Sequence, residues 1–106
     1  MPKKQLGGVV RKPVSSGLAD GGTITSATRL AANTFYRCDH TAASYTNVMP
    51  AASVDDEVML IKFGTFAMTI DLNGQKFNGS TANPVTSAEG ITRLRFTGAS
   101  RGWVEM

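Results

Sequence analysis

The sequence predicts an all-β fold, a small antiparallel β-sandwich or jelly-roll-like barrel carrying an extended N-terminal arm. Three observations predict it. Short runs of β-formers alternate in polarity, Gly- and Asn-rich turn signals separate them, and no stretch carries a useful amphipathic helical period. The longest helical candidate, residues 26–33, leads straight into the β-formers Thr34-Phe35.

At 106 residues the chain holds one small domain. A hydrophobic fraction of 42% with 18% charged residues and 11 glycines is the mix of a globular, turn-rich protein. No apolar run approaches the roughly 18 residues that a membrane span needs. Lys3 and Lys4 are followed by no apolar stretch, so neither a signal peptide nor an anchor is expected. Cys38 is the only cysteine, which excludes an intrachain disulfide and reads as a small, half-buried thiol made in a reducing compartment.

Charge is distributed unevenly. Lys3, Lys4, Arg11 and Lys12 all precede the first acidic residue, Asp20, so the segment before it carries +4. The remaining 7 basic and 8 acidic residues give −1. A basic arm on a near-neutral body suits a polyanion or an acidic protein surface. Residues 1–28 are expected to form this arm, because Gly7-Gly8, Pro13, Gly17 and Gly21-Gly22 interrupt any regular element. Val9-Val10 and Val14 with Leu18 are short apolar pieces that could seat in a groove on a partner.

Residues 29–106 are expected to form the β domain. Residues 34–38 are β-formers, and residues 45–49 end at Pro50, as an edge strand does. Asp55, Asp56 and Glu57 then mark an acidic turn without the ligand spacing of a cation loop. Between 57 and 79, Gly64-Thr65 and Asn73-Gly74 read as two-residue hairpin loops. Those loops would pair Phe63 with Phe66, Ile61 with Met68 and Ile70 with Phe77. One core face would then carry Met59, Ile61, Phe63, Phe66, Met68, Ile70, Leu72 and Phe77. In residues 91–96, Leu94 and Phe96 share one face and Arg93 and Arg95 the other. Trp103-Val104-Glu105 is the last expected strand.

Material for catalysis is scarce. The sequence has no phosphate-binding glycine loop, no H-E-x-x-H and no recognisable Ser-His-Asp arrangement. Cys38 and His40 lie at i, i+2 and so share a strand face, but no orienting partner is visible and Asp39 points the other way. His40 is expected at the surface or an interface, where in a trimer three copies could meet at the axis around a metal. Arg93, Arg95 and Arg101 with Tyr36, Tyr45 and Trp103 could line a single-strand nucleic-acid groove, although the body is neutral. No catalytic residue, metal site or cofactor is assigned.

The stretch 45–103 resembles a module recurring in tailed-phage appendage and decoration proteins. It has Val48-Met49-Pro50-Ala51-Ala52, the strand 58–63, the run Thr69-Ile70-Asp71-Leu72-Asn73-Gly74-Gln75-Lys76-Phe77-Asn78-Gly79, and then residues 91–96 and 98–104. Met49 departs from the commoner Leu. The resemblance implies a β-sandwich in a virion component, commonly homotrimeric, assembled in the host cytoplasm. No heptad, collagen-like or other shaft repeat occurs within these 106 residues, as a fibre would carry. The expectation is therefore a non-enzymatic head decoration (cement) protein. It would bind the major capsid protein or other virion subunits through Lys3, Lys4, Val9, Val10, Arg11, Lys12 and Val14, with Arg93, Arg95 and His40 as further surface or interface candidates. The competing expectation is a tail or fibre appendage domain that binds a host glycan.

Overall fold

The computed structural model describes residues 17–106. They form eight strands and, among the described residues, no helix: β1 (Ala19–Ile24), β2 (Thr34–Asp39), β3 (Tyr45–Val48), β4 (Glu57–Phe63), β5 (Met68–Asp71), β6 (Val85–Thr86), β7 (Gly90–Phe96) and β8 (Trp103–Glu105). A five-stranded sheet has the order β1-β2-β4-β7-β8 and a three-stranded sheet the order β3-β5-β6. The protein is all-β, as the sequence predicts.

Both sheets are mixed instead of wholly antiparallel, and neither closes into a barrel. Strand β2 runs parallel to β4, from Thr34 opposite Val58 to Asp39 opposite Phe63. In the other sheet β3 runs parallel to β5, from Tyr45 opposite Met68 to Val48 opposite Asp71. Each consecutive pair, β2–β3 and β4–β5, therefore leaves one sheet and enters the other. The two segments are arches stacked on each other. A shorter third layer precedes them: β1 lies parallel to β2, and Arg29 bridges Val48 in parallel. Antiparallel β7 and β8 complete the large sheet, and antiparallel β6 the small one.

This topology overturns the hairpin expected at Gly64-Thr65. Gly64 does have a left-handed φ of 83°, but its role is close approach between layers. A Cβ on Gly64 would overlap the backbone of His40 in the arch beneath. The turn at Asn73-Gly74 forms as expected, with φ of 54° and 78° and Gln75 N–H donating to Leu72 C=O at 3.0 Å. The ladder beyond it does not. Ile70 N–H donates to Pro84 C=O at 2.9 Å, and Phe77 bridges Trp103 instead of facing Ile70.

The core inherits the change. Met68, Ile70 and Leu72 are buried, as expected. On β4, however, the side chains entering the core are Val58, Leu60 and Lys62; Glu57 is buried from the outer face, and Phe63 is 45% exposed. A hairpin keeps both strands in one sheet with a shared face; an arch turns them to face each other across the interior, so the inward set of β4 is the alternate one. Trp103 is fully buried and meets Phe96 edge-on at 5.4 Å.

The large sheet also takes in residues assigned to the arm, since β1 begins at Ala19. Its register shifts between Asp20 and Thr23, at the Gly21-Gly22 pair. Gly21 packs where a Cβ would overlap the Tyr36 ring. The arm residues Lys3, Lys4, Val9, Val10, Arg11, Lys12 and Val14 lie outside the described residues.

Candidate interaction surface

One face of the five-stranded sheet packs on the core. The other points away from the second sheet, and register assigns its side chains in rows, because directly paired residues share a face. One row is Phe35-Met59-Arg93, the next Arg37-Ile61-Ile91, flanked by Asp39-Phe63 and by Glu57-Arg95-Val104. Phe35, Met59, Ile61, Phe63 and Ile91 are thus contiguous. Phe35, Met59 and Ile61 are half-buried among their neighbours, whereas Phe63 is 45% and Ile91 66% exposed.

Apart from Asp39, the charges on this face are paired within the sheet. Glu57 accepts from Arg93 Nε at 2.8 Å and Nη2 at 2.5 Å on one carboxylate oxygen, and from Arg95 Nη2 at 2.7 Å on the other. Hydrogen bonding by Arg95, opposed by partial burial and reinforced by Arg93, holds the Glu57 carboxyl below its usual range. At the β1 edge Asp20 accepts from both terminal nitrogens of Arg37 at 3.0 Å. The Arg37 guanidinium also lies 5.6 Å from the Phe35 ring centroid. Asp39 accepts from the Thr41 amide at 3.0 Å and its hydroxyl at 2.6 Å. Asp20, Asp39 and Glu57 balance Arg37, Arg93 and Arg95, so the face is neutral. Arg93 and Arg95 are half-buried on this face, bound to an acid of their own sheet.

His40 is not on the surface. Its exposure is 0%; it stacks on Tyr45 with ring centroids 3.8 Å apart, and Nδ1 lies 3.1 Å from Ala43 C=O. A carbonyl only accepts, so that nitrogen carries the proton. The reason is strand parity: Tyr36, Cys38 and His40 alternate inward together. This removes the axial metal site considered for a trimer. Cys38 does share the His40 face, but it is fully buried and burial pushes its thiol up to about 11. A buried, protonated thiol is no nucleophile.

The aromatic platform expected for single-strand nucleic acid is dispersed. Trp103 and Tyr36 are core residues, and the Tyr45 hydroxyl donates to Ile24 C=O at 2.8 Å. A concavity of about 290 Å³ opens where the small sheet ends at β6, between Met68, Ile70, Phe77, Pro84 and Leu94, with Glu105 at its rim. Thr86 and Thr92 also contribute to its mostly apolar lining. Among the described residues no three His, Cys, Asp or Glu side chains cluster as a metal site requires.

No family model matches the chain, and no curated protein is significantly similar to it.

The apolar outer face escaped sequence reading because Met59, Ile61 and Phe63 fit a hairpin core. Lys62 escaped it too. Its stem crosses the core and its ammonium donates to Gly64 C=O at 2.6 Å and Ser87 C=O at 3.1 Å, tying the second arch to the β6–β7 connection. A signal for both was present: residues 58–61 are apolar on both faces, the composition of a central strand covered on both sides.

Proposed function

We propose that this chain is a structural virion protein: a homotrimeric head decoration (cement) protein with a β-sandwich body. It binds the capsid surface through its N-terminal arm and stabilises the assembled shell. The observation that carries the reading is the outer face of the large sheet, which is broad, neutral and apolar at its centre. Such a face serves protein contact, since exposed contiguous apolar surface marks interaction sites. The +4 segment ahead of Asp20 supports an arm directed at an acidic protein surface, and the cadence from residue 45 to 103 supports the virion setting. Binding only the assembled shell would stabilise it by mass action over its repeated sites. No cofactor enters.

The test is co-sedimentation with emptied capsid shells of the phage whose genome encodes the chain. The full chain is expected to saturate the shells and raise their disruption temperature. A chain lacking residues 1–16, cut ahead of β1 to spare the sheet, is expected to keep its circular dichroism spectrum and lose binding. Binding retained after truncation would refute the arm's role; a full chain that binds an array of host glycans and no shell would replace the reading with the appendage one.

A further inference from the structure

We infer that the outer face of the five-stranded sheet, centred on Ile61 and Ile91, is the surface on which copies of this chain meet. The inference names the surface for the self-association in the reading above, and rests on that part of it alone. Three observations carry it.

The first is the make-up of the central strand. β4 is flanked by β2 in parallel and β7 antiparallel, and it is apolar on both faces: Val58 and Leu60 point inward, Met59 and Ile61 outward. A run that is apolar on both sides is the mark of a strand covered on both faces of its sheet. The second sheet covers only one.

The second is charge. A face that meets a copy of itself must not repel itself, and this one is neutral. A polyanion would instead need free cations, whereas Arg93 and Arg95 share Glu57 and Arg37 is held by Asp20.

The third is how the charge is laid out. Asp20, Arg37 and Asp39 leave the β1–β2 side one negative; Glu57, Arg93 and Arg95 leave the β4–β7 side one positive. Copies arranged around an axis parallel to the strands, faces inward, bring the β1–β2 side of one against the β7–β8 side of the next. Asp20 and Arg93 lie level with the same pair, Phe35 and Met59, so they face each other across the rim, while Ile61, Phe63 and Ile91 meet near the axis, as an apolar centre with a polar rim requires.

The experiment measures the solution mass of the full chain by light scattering. Wild type is expected at a multiple of 11.2 kDa. Ile91→Arg and Ile61→Arg are expected at the single-chain mass with an unchanged far-ultraviolet spectrum; Val54→Arg, at a position 61% exposed in the loop before β4, is expected to keep the wild-type mass. Because Cys38 is buried, a nitroxide on Ile91→Cys labels one site per chain, and dipolar coupling between copies is expected. A wild type that stays at the single-chain mass at every concentration overturns the inference, as do oligomers that survive both arginine variants or fall apart in Val54→Arg. The two readings fail separately. An oligomer broken by Ile91→Arg that binds no shell refutes only the cement role, and a single chain that binds shells refutes only this surface.

Discussion

The two faces of the five-stranded sheet are built from alternate residues of the same strands, yet they are different materials. The inner face is a packed interior in which Leu60, Leu94 and Trp103 are almost wholly hidden. The outer face sets apolar side chains of similar size among charges that neutralise one another. In β4 the hydrophobicity of adjacent residues barely differs, so their burial is decided by which way the chain turns at Gly64. Apolar character says that a side chain wants cover; topology says whether its own chain supplies it.

The sharpest way to break this contrast is to truncate neighbours on β4. Leu60→Ala is expected to destabilise by about 2–5 kcal/mol, as core truncations do. Ile61→Ala, measured in denaturant at a concentration where the chain is single, is expected to cost less than about 1 kcal/mol. The reverse order would restore the hairpin register and remove the outer face.

Stacking of the arches is tested next. Gly64→Ala must strain a positive φ and displace the His40 backbone, so a loss of roughly 2–3 kcal/mol is expected. Gly74, also at positive φ but with open space at its Cβ position, is expected to lose only about 1 kcal/mol as Gly74→Ala. Equal losses in thermal unfolding would mean that the arches do not touch at Gly64.

Glu57 is the electrostatic hinge of the outer face. Glu57→Gln, which leaves two arginines sharing a neutral amide, is expected to cost about 1–3 kcal/mol at neutral pH. The Glu57 carboxyl is held below its ordinary 4.5, so its contribution is complete above that value and fades as pH falls through the folded-state value. The variant should therefore flatten the acid limb of a stability–pH curve; a limb as steep as wild type would show that Glu57 is not its source.

The smallest effect belongs to the interior. Burial, opposed by the hydrogen bond to the Ala43 carbonyl and by Asp39 and reinforced by Lys62, lowers the affinity of His40 for a proton below the ordinary 6.5. The unfolded chain then binds the extra proton first, so stability is expected to fall as pH drops below 6.5 and to level off below the folded-state value. His40→Gln should remove that slope between neutral and mildly acidic pH, as read by urea midpoints.

Much of the body was legible from local chemistry. The strand from 34, the strand ending near Pro50, the turn just ahead of Glu57, the Asn73-Gly74 turn and the split of Leu94 and Phe96 from Arg93 and Arg95 all depend on a few adjacent residues. The inward sharing of Cys38 and His40 was legible as parity, but not that the shared face was the interior. The interaction surface was hidden because its residues were claimed for a core on another register.

Alternation along each strand, the positions of tight turns and the separation of a basic leader from a neutral body are properties of neighbouring residues, and the sequence by itself determined them. Which strand lies beside which was decided only by the tertiary structure. Pairing Thr34 with Val58 and Tyr45 with Met68 joins residues more than twenty apart, and no local rule distinguishes a bend that returns within a sheet from one that crosses to another. That choice is made where whole layers stack, at the glycine that lets two backbones touch, and it decides which side of β4 faces outward.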